Sequence, residues 1–193
     1  MKVNSSPKIL TLFALIILTA LPAFAAVDDF ERSNGPLGSN WAANTNMVID
    51  DGRMHNKGTT AGWDSYLAVF YVEGANEATI TWPTEGNGIS GSGAQLGGVA
   101  FVNSFSAGSN GGYLVYVYGN EIRLFEISNG SPIGDNIQPD VSASVNPAPG
   151  DDFTVKFNQT TYTFTVYLNG SQIGSIQDSA KRVSFASTYA GVM

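Results

Sequence analysis

Three pairs of adjacent aspartates stand out among the residues able to do chemistry: Asp28 with Asp29, Asp50 with Asp51, and Asp151 with Asp152. Paired carboxylates can ligate a hard cation, act as acid and nucleophile, or keep a strand edge charged and wet. None lies in the spaced acidic loop of an EF-hand, so all three readings stay open for Asp28 and Asp29. His55 is the one histidine, which excludes a multi-histidine metal centre, and its place after a turn signal reads as an edge residue rather than a general base. Cysteine is absent, so thiol catalysis, thiolate metal sites and disulfides are excluded. No Gly-x-Ser-x-Gly elbow occurs. The stretch GNGISG at 86–91 matches the dinucleotide fingerprint by letter, yet no helix follows it and no βαβ unit surrounds it. Glu121 and Glu126 are an odd number of positions apart, which sends them to opposite faces of a regular strand.

Recognition is the chemistry left. In the stretch 113–118, alternation puts Tyr113, Val115 and Val117 on one face and Leu114, Tyr116 and Tyr118 on the other. On the next strand Arg123 and Phe125 share a face, so Tyr116, Tyr118, Arg123 and Phe125 form a candidate outward patch. Aromatic rings stack on the apolar faces of sugars, and Arg bonds their hydroxyls. The other reading makes these residues ordinary cross-strand pairs. Trp63, at a strand entrance, is a second candidate sugar platform, whereas Trp41 and Trp82 read as packing residues.

These residues need elements to hold them. Lys2 and Lys8 precede an apolar run at 9–21, and Ala23 and Ala25 flank Phe24, which is the pattern of a cleaved secretory signal over residues 1–25. The protein is therefore expected outside the cytoplasm: extracellular, periplasmic or at the cell surface. The full chain has a net charge of −7; without residues 1–25, which hold two lysines and no acid, it is −9. That balance argues against nucleic acid and anionic membranes as partners. The other 168 residues suit one domain, 26–193.

Within that domain the apolar pattern has period two, carried by Val, Ile, Thr, Tyr and Phe and broken every 8 to 12 residues by turn formers. Strands are expected near 47–50, 53–57, 65–72, 77–82, 97–103, 112–118, 121–127, 152–158, 161–168 and 171–177. Tight hairpin turns are signalled by Asp51 with Gly52, Gly119 with Asn120, and Asn169 with Gly170. Glycine- and serine-rich stretches at 85–98 and 103–112 read as rim loops. Short antiparallel strands in this number predict an all-β fold, a two-sheet antiparallel β-sandwich.

The order of segments carries a resemblance. LGSNW, then GGVAFVNSFSAGSNGGYLVYVYGNEIRLFEI at 97–127, then DDFTVKFNQTTYTFTVYLNGSQIGSIQDS at 151–179 and a closing YAGVM resemble the concanavalin A-like lectin/glucanase superfamily. More narrowly they resemble laminin G-like jelly rolls of secreted bacterial and phage proteins. The resemblance implies a jelly roll that binds glycans, cuts them, or serves as an adhesive module. It also implies a possible structural Ca2+, with Asp28, Asp29, Asp151 and Asp152 as candidate ligands. The Glu-x-Asp-x-x-Glu strand of laminarinase-type relatives has no counterpart here. The expected function is a secreted non-catalytic carbohydrate-binding or surface-adhesion module, its partner a polysaccharide or cell-surface glycan. The alternatives are a divergent polysaccharide-active enzyme using Glu73, Glu85 or Glu126, or a purely structural module. The resembling domains continue past the segment matching YAGVM into a final strand that pairs with the first. The expectation is therefore a domain that can lack that strand, with Phe30 buried in a first edge strand at 27–32 that is either poorly ordered or used for self-association.

Overall fold

The computed structural model describes residues 26–43, 47–50, 53–56, 68–81, 95–118, 121–133, 137, 141–142, 148 and 150–192. Trp63, Trp82, Glu85, the loop at 86–91 and the turns at 51–52 and 119–120 lie outside the described residues, as does the segment 1–25. The described residues are built from strands, and no helix occurs among them.

A large sheet of eight strands comprises β2 (Trp41–Ala43), β5 (Ala68–Glu73), β7 (Gln95–Val102), β8 (Gly111–Tyr118), β9 (Glu121–Ser128), β10 (Ser131–Ile133), β11 (Val141–Ser142) and β15 (Tyr189–Val192). Its order is β10-β9-β8-β7-β15-β5-β2, and β11 also pairs with β9. A small sheet has the order β14 (Ser171–Gln177), β13 (Thr163–Leu168), β12 (Asp152–Asn158), β6 (Glu77–Thr81). A third sheet joins β1 (Gly35–Pro36), β3 (Met47–Asp50) and β4 (Arg53–Asn56). Every pairing is antiparallel.

The period-two pattern explains how the two main sheets meet. On β7, β8 and β9, the residues Val99, Phe101, Tyr113, Val115, Ile122 and Leu124 face the small sheet and share one core cluster with Phe153, Val155, Phe157, Phe164 and Val166. Phe157 and Phe164 stack with ring centroids 4.5 Å apart and 4° between planes. Burying a phenylalanine of this kind contributes roughly 2 to 3 kcal/mol. The alternate residues Ala100, Val102, Leu114, Tyr116 and Ile127 form a second buried cluster on the opposite face of the large sheet. Both faces of its central strands are therefore apolar.

Turn chemistry fits as well. Asn169 and Gly170 join β13 to β14 with φ of 49° and 77°, the left-handed values that a two-residue hairpin turn demands. Asn129 and Gly130 adopt φ of 51° and 77° in the same way and create the β9–β10 hairpin. That hairpin is not among the expected strands, although the same residue pair announces it.

One expectation is corrected. Residues 27–32 form no strand. Asp28 Oδ1 accepts from Phe30 N at 2.9 Å, Asp29 Oδ1 accepts from Glu31 N at 3.1 Å, and Arg32 N donates to Phe30 O at 2.7 Å. These local bonds compete with a ladder, and Phe30 takes a φ of 57° that no strand uses. The strand β15 lies between β7 and β5 and pairs with both. Residues 27–32 thus do not supply the open edge strand that was expected.

Candidate functional site

The acidic pairs act as clasps. The Asp28 carboxylate receives two guanidinium bonds from Arg32, at 2.5 and 3.0 Å, and the indole N–H of Trp41 at 2.6 Å. The Arg32 bond is the main influence that holds the Asp28 carboxyl below its ordinary pKa; partial burial opposes it and the bonds from Trp41 and Phe30 N assist. Trp41 lies between Phe30 and Phe70, with ring centroids 5.7 and 4.7 Å away, so its expected packing role is what the geometry shows. At the start of β12, Asp151 accepts from Asn169 Nδ2 at 2.7 Å and from Ala148 N at 2.6 Å, and Asp152 accepts from Thr81 Oγ1 at 2.6 Å. The Asn169 bond leads in depressing the Asp151 pKa. Among the described residues no group of three or more His, Cys, Asp or Glu side chains gathers around a point that could hold a metal. The Asp28 carboxylate faces Arg32, and the Asp151 and Asp152 oxygens named above accept from N–H and O–H donors.

The expected aromatic patch lies on the expected face with an unexpected exposure. Tyr116 pairs with Arg123 across β8 and β9, and Leu114 pairs with Phe125, so all four share the face away from the small sheet. Tyr116 is only 4% exposed, with its ring 5.4 Å from that of Phe125. It is a packing residue of that face rather than an offered platform. Arg123 is half-buried and donates to Glu121 at 2.8 Å. The side chain of Tyr118 lies outside the described residues. Glu126 shares the parity of Ile122 and Leu124, so it faces away from Glu121, as the odd spacing requires.

A different aromatic group is open. Tyr71 on β5 is 62% exposed and meets the ring of Phe105 edge-on at 4.8 Å. Phe105, in the loop between β7 and β8, lies 6.2 Å from Tyr189 at the start of β15. Phe105 and Tyr189 rest on the buried cluster of the outer face, which sets their position. Partial burial, with help from Glu73 and Tyr71, raises the Tyr189 pKa. Beside the rings, Ser187 Oγ donates to Glu73 Oε1 at 2.5 Å.

Glu73 and Ser187 also line a groove of about 700 Å³ that runs onto the small sheet past Asn76, Glu77, Lys156 and Tyr167. Lys156 pairs with Glu77 at 3.1 Å and stands 5.4 Å over the Tyr167 ring. Three rings with a carboxylate and a hydroxyl at their edge, the last two shared with a polar groove, are suited to a polyhydroxylated ligand. The sequence offered one sign of this site: Phe105 is an aromatic set between Ser104 and Ser106 in a polar loop. Tyr71 sits in the apolar run AVFYVE, where nothing separates it from core.

A buried polar network ties the sandwich shut nearby in sequence to β15. Tyr113 OH donates to Asp178 Oδ2 at 2.7 Å and accepts from Val183 N at 3.0 Å. Asp178, 1% exposed, also receives Arg182 N at 2.9 Å, Arg182 Nη1 at 2.8 Å and Ala180 N at 3.1 Å. Burial is the largest single influence on Asp178 and raises its pKa; the bonds from Arg182 N and Tyr113, the Arg182 charge and the bond from Ala180 N together outweigh it, so the net shift is downward.

No protein-family model and no curated protein matches the chain. Solved structures do. The carbohydrate recognition domain of Emp47p aligns with a TM-score of 0.50 at 16% identity, over 86% of this chain and 82% of that one. The carbohydrate-binding module CBM66 from Bacillus subtilis aligns at 0.42 and 19% identity, over 65% and 71% of the two chains. The κ-carrageenase from Pseudoalteromonas carrageenovora, in complex with an oligotetrasaccharide of κ-carrageenan, aligns at 0.42 and 14%, over 90% and 84%. These are concanavalin A-like jelly rolls, and the first of them shows that this chain shares the fold.

Proposed function

We propose that this concanavalin A-like β-sandwich is a secreted, non-catalytic carbohydrate-binding or surface-adhesion module whose sugar platform is Tyr71, Phe105 and Tyr189. The observation that carries the proposal is the exposed Tyr71 ring braced by Phe105, with the Glu73 and Ser187 pair at its edge. The hydrophobic and CH-rich face of a pyranose would stack on the rings while its hydroxyls bond to the carboxylate and serine. The lectin and binding-module relatives support a sugar as ligand, and the signal-like segment 1–25 supports an extracellular setting.

A glycan array with the purified chain, with and without calcium, tests the proposal. Tyr71→Ala and Phe105→Ala are each expected to weaken binding by about 1 to 2 kcal/mol. The unfolding midpoint should hardly move for Tyr71→Ala, because that ring is already largely in water. No reducing ends should appear on incubation with β-glucans, xylan or alginate. Turnover lost in Glu126→Gln would make the protein an enzyme and overturn the reading.

A further inference from the structure

We infer that the ligand of this site is an uncharged glycan and that sulfated or uronic glycans are turned away; the inference rests on the carbohydrate-binding reading. The rings of Tyr71, Phe105 and Tyr189 are not charged groups. The groove that shares Glu73 and Ser187 with the edge of these rings carries two carboxylates, Glu73 and Glu77, and the ammonium of Lys156. That ammonium is held by Glu77 at 3.1 Å and by the Tyr167 ring. A sulfate or carboxylate reaching Lys156 would have to share it with Glu77 and lie against the carboxylates of Glu77 and Glu73. Lys181 is bound to Thr160 O at 2.7 Å and stands over the Tyr162 ring. Among the other groove side chains, Asn76, Asn158, Gln159, Thr165 and Ser187 offer amide and hydroxyl groups, which suit neutral hydroxyls. The field of the whole chain, at a net charge of −7, acts in the same sense.

Matched ligands test this directly. The full chain is titrated with unsulfated and sulfated galactan oligosaccharides, and with β-glucan and polyglucuronate of equal length, at about 20 and about 300 mM salt. Neutral members are expected to bind at least tenfold tighter than their acidic partners at low salt. The gap should narrow at high salt, because screening relieves repulsion of the acidic ligand. Glu73→Gln and Glu77→Gln should each narrow it at low salt, with circular dichroism unchanged. Tighter binding of the acidic members, or acidic binding that weakens as salt is added, overturns the inference and leaves carbohydrate binding standing. A gap untouched in both glutamine variants overturns it too. Binding of neither class removes the carbohydrate reading, and this inference with it.

Discussion

Removing one oxygen atom, in Tyr113→Phe, isolates the polar network from the packing around it. The ring is fully buried against Phe164 at 5.2 Å and Phe185 at 6.0 Å, and phenylalanine keeps those contacts. What is lost is a hydrogen bond to the Asp178 carboxylate and the acceptor for Val183 N–H. A bond to an ionised group contributes about 1.5 to 3 kcal/mol, and an orphaned buried donor costs about 1 to 3 kcal/mol. With local relaxation the expected loss is about 3 kcal/mol, or about 6 to 12 °C in Tm for a domain of this size. Urea unfolding at pH 7 measures it, with m unchanged if only stability has moved. The alkaline limb gives a second readout. Burial first, and the bond to Asp178 second, raise the Tyr113 pKa above its ordinary value of 10.0. The folded state thus holds this proton more tightly than the unfolded chain, so its contribution is full below pH 10 and fades as pH rises beyond. Tyr113→Phe should shrink that fall. A loss under about 1 kcal/mol together with an undiminished alkaline limb would refute the reasoning.

Other tests separate packing from recognition and clasp from metal site. Tyr116→Ala empties a site that is 4% exposed and should cost about 3 to 5 kcal/mol in denaturant unfolding; a stable variant with weakened glycan binding would restore Tyr116 as a ligand contact. Asp28, Asp151 and Asp178 all have pKa values below the ordinary 3.8, so their stabilisation is present above pH 3.8 and is lost as pH falls through their folded values. Acid titration followed by tryptophan fluorescence and circular dichroism should therefore show unfolding beginning below about pH 4, and Asp178→Asn should flatten it. A fall in stability that starts near pH 6 would point to other groups.

Much of the fold was legible because alternation and turn residues are local signals. The expected strands at 47–50, 152–158 and 171–177 coincide with β3, β12 and β14, and most others differ by a residue or a few at their ends. The short strands were missed for physical reasons. Gly35–Pro36 and Trp41–Ala43 are too brief to show a period, and their places are set by partners far along the chain, Ile49 and Phe70 among them. The strand expected at 27–32 failed because Asp28, Asp29 and Arg32 answer their own backbone and one another before any ladder can form.

The site was less legible because parity assigns a face and says nothing about what covers it. Tyr116 and Arg123 were assigned to the right face of the large sheet, but that face is itself apolar through Ala100, Val102, Leu114 and Ile127, so pointing away from the sandwich core does not mean pointing at water. The exposed ring is Tyr71, which shares a strand with the fully buried Val69 and a spacing of two with it. What distinguishes the two is position along the strand: Tyr71 lies toward the end of β5, opposite the bulge between Tyr189 and Gly191, where the outer cluster gives way to the loop carrying Phe105. Three rings from 71, 105 and 189 meet there only because β15 is inserted between β7 and β5. Such a platform is a product of strand order. It follows that a substitution disturbing β15, such as Gly191→Val in a buried position flanked on both sides, should scatter the rings and abolish glycan binding without touching any of them. Retained affinity in a folded Gly191→Val variant would show that Tyr71 and Phe105 bind without Tyr189.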